Sequence, residues 1–246
     1  MVSGTRSRRA AKSAERPGDQ LDLSYRTWGG ARKGAGRKKG PRPPIPHRSR
    51  ERLNPRHPVH VTVHMRRDVP SLRSQVTFAA LRRAFRGARG RFGMRLVHFN
   101  VQGNHMHLIV EADGTGALSR GMKALGIRIA RQLNAALGRR GGVFEERYHS
   151  TPLTCPRQVR NALRYVLLNG AAHRSRIRSA TRVASGPVGL DPCSSAAVFD
   201  GWRPGVPLAA SEPWGSAAEL VMDASRWLLA VGWRRWGPID PRASTG

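Results

Sequence analysis

Two extended runs joined by a tight turn set the frame of this chain. Met94 to Val101 and His105 to Ala112 both read as strands, and Gln102-Gly103-Asn104 supplies the turn that pairs them as an antiparallel hairpin. Residues two apart on a strand share a face. His105 and His107 therefore project together from one side of the hairpin, while Met106, Leu108 and Val110 project from the other into a core. An earlier run, Val59 to Met65, alternates in the same way, with Val59, Val61 and Val63 on one face and His60, Thr62 and His64 on the other.

Helical periodicity separates the strands. Ser71 to Gly90 carries Leu72, Val76, Ala79, Ala80 and Phe85 at helical spacing, and Gly116 to Gly138 carries Leu118, Met122, Leu125, Ile129, Leu133 and Leu137. Val143 to Thr154 holds a short extended segment. Pro156 to about Ala172 then reads as a helix, with Cys155 or Thr154 as cap and Pro156 in the first turn. Strand, helix, hairpin, helix, strand, helix predicts an α+β domain: a ferredoxin-like antiparallel sheet with helices packed on it. Its expected span is 57–175. Residues 1–56, rich in Arg, Lys, Gly and Pro, read as a basic disordered arm. Residues 176–246 read as a poorly defined C-terminal extension, mostly loop, with one candidate helix over Ala217 to Val231 and the basic aromatic stretch Trp233-Arg234-Arg235-Trp236.

Charge narrows the partner. The chain of 246 residues has 44 Lys and Arg against 15 Asp and Glu, a formal net charge of +29. So much positive charge repels itself in a compact state and calls for a polyanion. Nucleic acid outranks a membrane surface, because no apolar run is long enough to span a bilayer and none near the start resembles a secretion signal. The two cysteines, Cys155 and Cys193, lie far apart and suggest neither a disulfide framework nor a zinc site; a reducing cytoplasm, with association to the nucleoid, is the expected location. Within the arm, Arg37, Lys38, Lys39 and Arg42 sit among Gly and Pro in a loose AT-hook-like segment, and a generic phosphate-binding tail is the plainer reading. Arg128 and Arg131 on the second helix are further candidate phosphate contacts.

Two side-by-side imidazoles are a ready pair of metal ligands. A lone His-x-His is weak evidence, and ordinary packing explains most of them; here the pair gains weight from its place in a core strand after a hairpin turn. On the helix after Pro156, Val159, Ala162, Leu163, Val166 and Leu167 form the apolar stripe. Asn161, Tyr165 and Asn169 recur every four residues on another face, so Tyr165 can present its hydroxyl to the sheet and Asn169 an amide oxygen as third metal ligand. The plainer alternative packs Tyr165 at the core edge with its hydroxyl in water. Glu111 shares the histidine face, as an auxiliary ligand or, more simply, an exposed strand-end carboxylate. His60 and His64 read as approaching that site or as a strand's ordinary polar face.

The strand Asn104-His105-Met106-His107-Leu108, followed some sixty residues later by Arg164-Tyr165-Val166-Leu167-Leu168-Asn169, resembles the single-tyrosine HUH transposases, the IS200-like insertion-sequence enzymes and REP-associated tyrosine transposases. Phe144-Glu145-Glu146-Arg147-Tyr148-His149-Ser150 also resembles the stretch that family places before its tyrosine helix. The resemblance covers residues 58 to about 175, and this chain has Gly103 and Gly170 where the family pattern usually has proline. It implies an HUH endonuclease fold and a transposase that cuts and rejoins single-stranded DNA with hairpin or inverted-repeat structure. It further implies a Mg2+ or Mn2+ ion on His105, His107 and Asn169, and a 5′-phosphotyrosine at Tyr165, in a protein that can act as a homodimer. Elimination among three tyrosines agrees: Tyr25 falls in the arm, and Tyr148 reads as a core or DNA-stacking residue. The alternatives are an HUH-derived protein that binds a DNA or RNA hairpin without cutting it, an HUH replication initiator or relaxase, and a basic RNA-binding protein.

Overall fold

The structure, a computed structural model, describes residues 52–177, 186–209 and 213–243. Arg37, Lys38, Lys39 and Arg42 lie outside the described residues; of the expected basic arm only residues 52–56 are described, and there Leu53 is buried in the first core with its N donating to Thr115 Oγ1 at 2.8 Å. The elements run β1 (Val59–His64), α1 (Gln75–Ala88), β2 (Met94–Val101), β3 (His105–Ala112), α2 (Thr115–Ala136), β4 (His149–Pro152) and α3 (Pro156–Ile177). The four strands form one antiparallel sheet in the order β2-β3-β1-β4, the βαββαβ arrangement of a ferredoxin-like fold. No described helix is long and apolar enough to cross a membrane.

Strand alternation divides the molecule into two cores. Val59, Val61, Val63, Met106, Leu108 and Val110 face α1 and α2, where they meet Phe78, Leu81, Phe85, Leu118, Leu125 and Ile129. Ile109 and Val97 face the other way and pack with Val159, Leu163, Val166 and Leu167 of α3. A bulge in β2 makes this possible. Leu96 pairs with Val110 and His98 with Ile109, so Val97 is the extra residue that swings the strand's phase.

The helix starts follow local chemistry. Ser74 caps α1, its Oγ accepting from Thr77 N at 3.3 Å. That phase turns Phe78, Leu81, Ala84 and Phe85 inward and leaves Val76 51 % exposed, so Val76 is not part of the buried stripe its spacing suggested, and Leu72 is buried ahead of the helix. Helix α2 ends at Leu137, and Gly138 adopts φ +61°, the left-handed conformation glycine takes up most readily. Before α3, Gln158 Oε1 accepts from Thr154 N at 2.7 Å and Thr154 Oγ1 at 3.0 Å, so the capping oxygen comes from the helix's own first turn.

Past residue 185 the chain closes the second core. Leu190, Ala196, Phe199, Leu228, Leu229, Trp233 and Ile239 join the α3 side. Residues 193–195 line the outer edge of β2, with Val101 N donating to Cys193 O at 2.9 Å and Ser195 N to Phe99 O at 3.0 Å, so that exposed edge is covered. Two buried carboxylates hold this layer. Asp191 accepts both terminal nitrogens of Arg73, at 2.9 and 2.6 Å. Glu111 accepts Ser225 N at 2.9 Å, Ser225 Oγ at 2.8 Å and Arg226 N at 2.8 Å. Glu111 is thus buried, not an exposed strand end. The expected helix over Ala217 to Val231 is also corrected. Only a 3-10 turn, Ala217–Glu219, and one short helix, α4 (Trp227–Ala230), form there. Between them the backbone bonds to the sheet instead of to itself: Met222 N donates to Leu96 O, and the 225–226 amides go to Glu111.

Two outcomes follow from this layer. Asp191→Ala strips Arg73 of its carboxylate and frees residues 190–195 from the sheet, a loss of about 3 kcal/mol in urea unfolding; a change below about 0.5 kcal/mol contradicts this anchoring. His98, buried beside Ser195 and Phe199, has its pKa pushed down from 6.5 to about 4 by burial, with Asp200 opposing. Its folded pKa lies below the unfolded one, so its contribution is complete above about pH 6.5 and is lost as pH falls towards 4. Unfolding free energy then falls by up to about 3 kcal/mol on this account over that range, and His98→Gln flattens that part of the slope.

Candidate functional site

The polar face of β1 and β3 meets α3 at one place. In the β1–β3 ladder Thr62 stands opposite His107 and His64 opposite His105, so side chains far apart in sequence share one patch. The His105 and His107 rings lie edge to face, 4.9 Å between centroids. His107 is buried, and both its nitrogens have neighbours: Nδ1 lies 3.2 Å from His60 Nε2 and 3.2 Å from Thr62 Oγ1, and Nε2 lies 3.4 Å from the Tyr165 hydroxyl. Tyr165 stays 40 % exposed, open to solvent on one side and set edge-on against His107 on the other. Asn169, one turn further along α3, is buried.

Sequence reasoning placed His105, His107, Tyr165 and Asn169 on facing elements, and the structure brings Tyr165 against His107. It left His60 and His64 undecided and missed Thr62 and His149. His60 touches His107 through its nitrogen; His64 stacks on His105 at 5.3 Å, with His149 edge-on to His64 at 6.3 Å. His149 in turn meets Glu146 Oε1 at 2.7 Å. Only strand register reveals Thr62, because nothing along the sequence ties it to His107. Tyr148 does not join the patch: it packs against the first core, beside α2. Arg128 and Arg131 also ride on α2, on that side of the sheet, and the Arg128 guanidinium lies against Gly87 of α1.

Burial decides the electrostatics. Loss of hydration, reinforced by repulsion from His60, His105 and His64, pushes the His107 pKa down to about 3, and burial lowers that of His60 as well. His107 is therefore neutral throughout the physiological range, with one nitrogen lone pair available. A neutral imidazole can bind a cation or accept a proton. Among the described residues no group of three or more His, Cys, Asp or Glu gathers as metal ligands. In an NMR titration the His107 ring signals should stay essentially fixed from pH 8 to pH 5; a midpoint near 6.5 would contradict the burial described.

A family model described as "Transposase IS200 like" matches residues 55–167. No curated protein matches the chain. Among solved structures, a REP-associated tyrosine transposase bound to a REP hairpin shares 17 % identity, with 74 % of this chain and 100 % of that chain covered and a TM-score of 0.48. A protein of Deinococcus radiodurans R1 described as a transposase shares 19 % identity, covering 48 % of this chain and 87 % of its own, with a TM-score of 0.34. The matched segment begins four residues before β1 and ends two residues after Tyr165, so it contains the whole sheet and the histidine–tyrosine contact. The domain of residues 55–167 belongs to the IS200-like transposase family.

Proposed function

We propose that this chain cuts and rejoins single-stranded DNA through a covalent 5′-phosphotyrosine at Tyr165, on substrates with hairpin or inverted-repeat structure. The observation that carries the reading is the approach of the Tyr165 hydroxyl to 3.4 Å from His107 Nε2, on a half-exposed helix face above a pair of strand histidines. A tyrosine that merely closed a core would not keep its hydroxyl at a buried imidazole while leaving its ring open to an incoming strand.

The donor set fits a divalent ion. His105 and His107 would supply imidazole nitrogens and Asn169 an amide oxygen, a mixed nitrogen and oxygen set of the kind that suits Mn2+ or Mg2+. Such an ion would supply Lewis-acid chemistry, polarising the scissile phosphate and favouring phenolate over phenol, whose ordinary pKa is near 10. The protein's own groups do the positioning. With a proton on Nδ1, His107 donates to Thr62 Oγ1 or His60 Nε2, and its Nε2 lone pair faces the Tyr165 side. Tyr165 Oη attacks phosphorus; the Oη–P bond forms as the P–O3′ bond breaks, and the proton lost by the phenol is matched by the one gained at the 3′-hydroxyl. The phosphotyrosine keeps the energy of the original phosphodiester, so a 3′-hydroxyl attacking it rejoins strands without a nucleotide cofactor.

A denaturant-resistant protein–DNA adduct on a hairpin with single-stranded flanks, formed with Mn2+, tests this directly. Wild type and Tyr148→Phe should form it, and Tyr165→Phe should lose it by at least about 100-fold, the scale expected when a nucleophile is removed. DNA binding by wild type without any adduct would instead mark a hairpin-binding protein. Loss only in Tyr148→Phe would move the nucleophile.

A further inference from the structure

The basic aromatic stretch near the C-terminus has no part in the chemistry above, yet it is built onto the helix that carries Tyr165. Of its two indoles, Trp233 is buried, with Nε1 donating to Leu229 O at 2.9 Å. Trp236 is 56 % exposed, and Trp227, at the start of α4, is 49 % exposed. Large aromatic surface left in water is unfavourable unless something covers it part of the time.

Both exposed rings are held in place. The Arg157 guanidinium of α3 lies over Trp236 at 6.0 Å, and that of Arg235 lies over Trp227 at 5.0 Å. Gly232 packs so closely on Trp227 that a Cβ there would come within 2.8 Å of its ring. Arg160, also on α3, donates to Gly237 O at 3.2 Å and Pro238 O at 3.0 Å, which fastens the turn after Trp236 to the helix. Arg234 is differently employed: it pairs with Asp200 at 2.7 Å and stacks on buried Trp233.

From Trp236 an exposed stripe leads to the tyrosine. Arg157, Asn161 and Tyr165 are spaced by four residues on α3, and all three are exposed. Eight helical residues span about 12 Å, which corresponds to roughly three nucleotides at the ~3.4 Å stacked spacing. We propose that Trp236 and Trp227, with Arg157 and Arg235, form a platform on which unpaired bases flanking the phosphate offered to Tyr165 stack. The proposal rests on the assignment of Tyr165 made above and names the part of the substrate this surface takes. Single-stranded DNA fits for two reasons. Each ring is flanked by a guanidinium, as bases alternate with phosphates along a strand, and only unpaired bases can stack on a protein ring. Duplex DNA offers phosphates but no free base faces, so it would use the arginines and leave the indoles in water.

The test uses the full chain in a Tyr165→Phe background, which removes covalent capture, and labelled DNA hairpins that are either blunt or carry a single-stranded tail on one side or the other. Fluorescence anisotropy should show Trp236→Ala weakening binding of at least one tailed hairpin by about 5-fold or more, with the blunt hairpin unaffected and Trp236→Phe restoring most of the loss. Quenching of tryptophan emission by tailed DNA should shrink in Trp227→Ala and Trp236→Ala. Unchanged affinity for both tailed hairpins in Trp236→Ala overturns the proposal, and so does an equal loss on tailed and blunt DNA. Because Trp236→Phe conserves the apolar ring, a loss that it rescues is not a folding defect. Adduct formation by the wild-type chain is read separately. An adduct with tail-blind binding rejects the platform alone; no adduct, with Trp236-dependent binding of tails, rejects cleavage alone.

Discussion

Everything in this molecule depends on the register in which β1 pairs with β3. The two strands are central in the sheet; β1 alternates apolar and polar residues along its length, and β3 does so from His105 to Leu108. With Thr62 opposite His107 and His64 opposite His105, valines, Met106 and Leu108 all fall on one face, and the histidines all fall on the other. A slip by one residue would exchange the faces of one strand and place imidazoles in the core under α1 and α2. The burial of Val59, Val61, Leu108 and Val110 therefore fixes the position of His60 against His107. Stability of the first core and assembly of the site are the same constraint.

The opposite face is neither a plain core nor an open surface. Part of it, around Ile109 and Val97, is apolar and packs on α3. The part bearing histidines stays half open, and there the helix presents Tyr165. Burial enough to keep His107 uncharged, beside a tyrosine still reachable by solvent, is a combination that a fully packed or fully exposed face would not give. Crowding of imidazoles is tolerable around His107 because His107 itself stays neutral: a proton there would lose hydration and be repelled by His60, His105 and His64.

The segments past residue 185 owe their place to charge rather than to periodicity. Asp191 and Glu111 are buried carboxylates whose oxygens are taken up by Arg73, Ser225 and backbone amides. Leaving either carboxylate without those donors would be costly, so the surrounding loops are held tightly although they contain little regular structure. The same loops supply Phe199, Leu228 and Trp233 to the core behind α3 and bring Trp227 and Trp236 to its surface. The helix that presents the tyrosine is thus clamped between the sheet and a layer carrying exposed aromatic rings.

The sequence by itself determined the order of elements, because period-two and period-3.6 patterns and a hairpin turn are local. It also determined that His105 and His107 share a face and that Tyr165 and Asn169 share another, since strand and helix geometry settle both. Tertiary structure decided what those faces meet. The pairing of Thr62 with His107 and the burial of Glu111 depend on partners 45 and 114 residues away, and the β2 bulge turns Val97 into the core it shares with α3. The helix expected over Ala217 to Val231 failed for that reason: the Met222, Ser225 and Arg226 amides bond to Leu96 and Glu111 of the sheet instead of to carbonyls one turn back. Local spacing fixes the direction in which a side chain points, and only long-range packing fixes what it finds there.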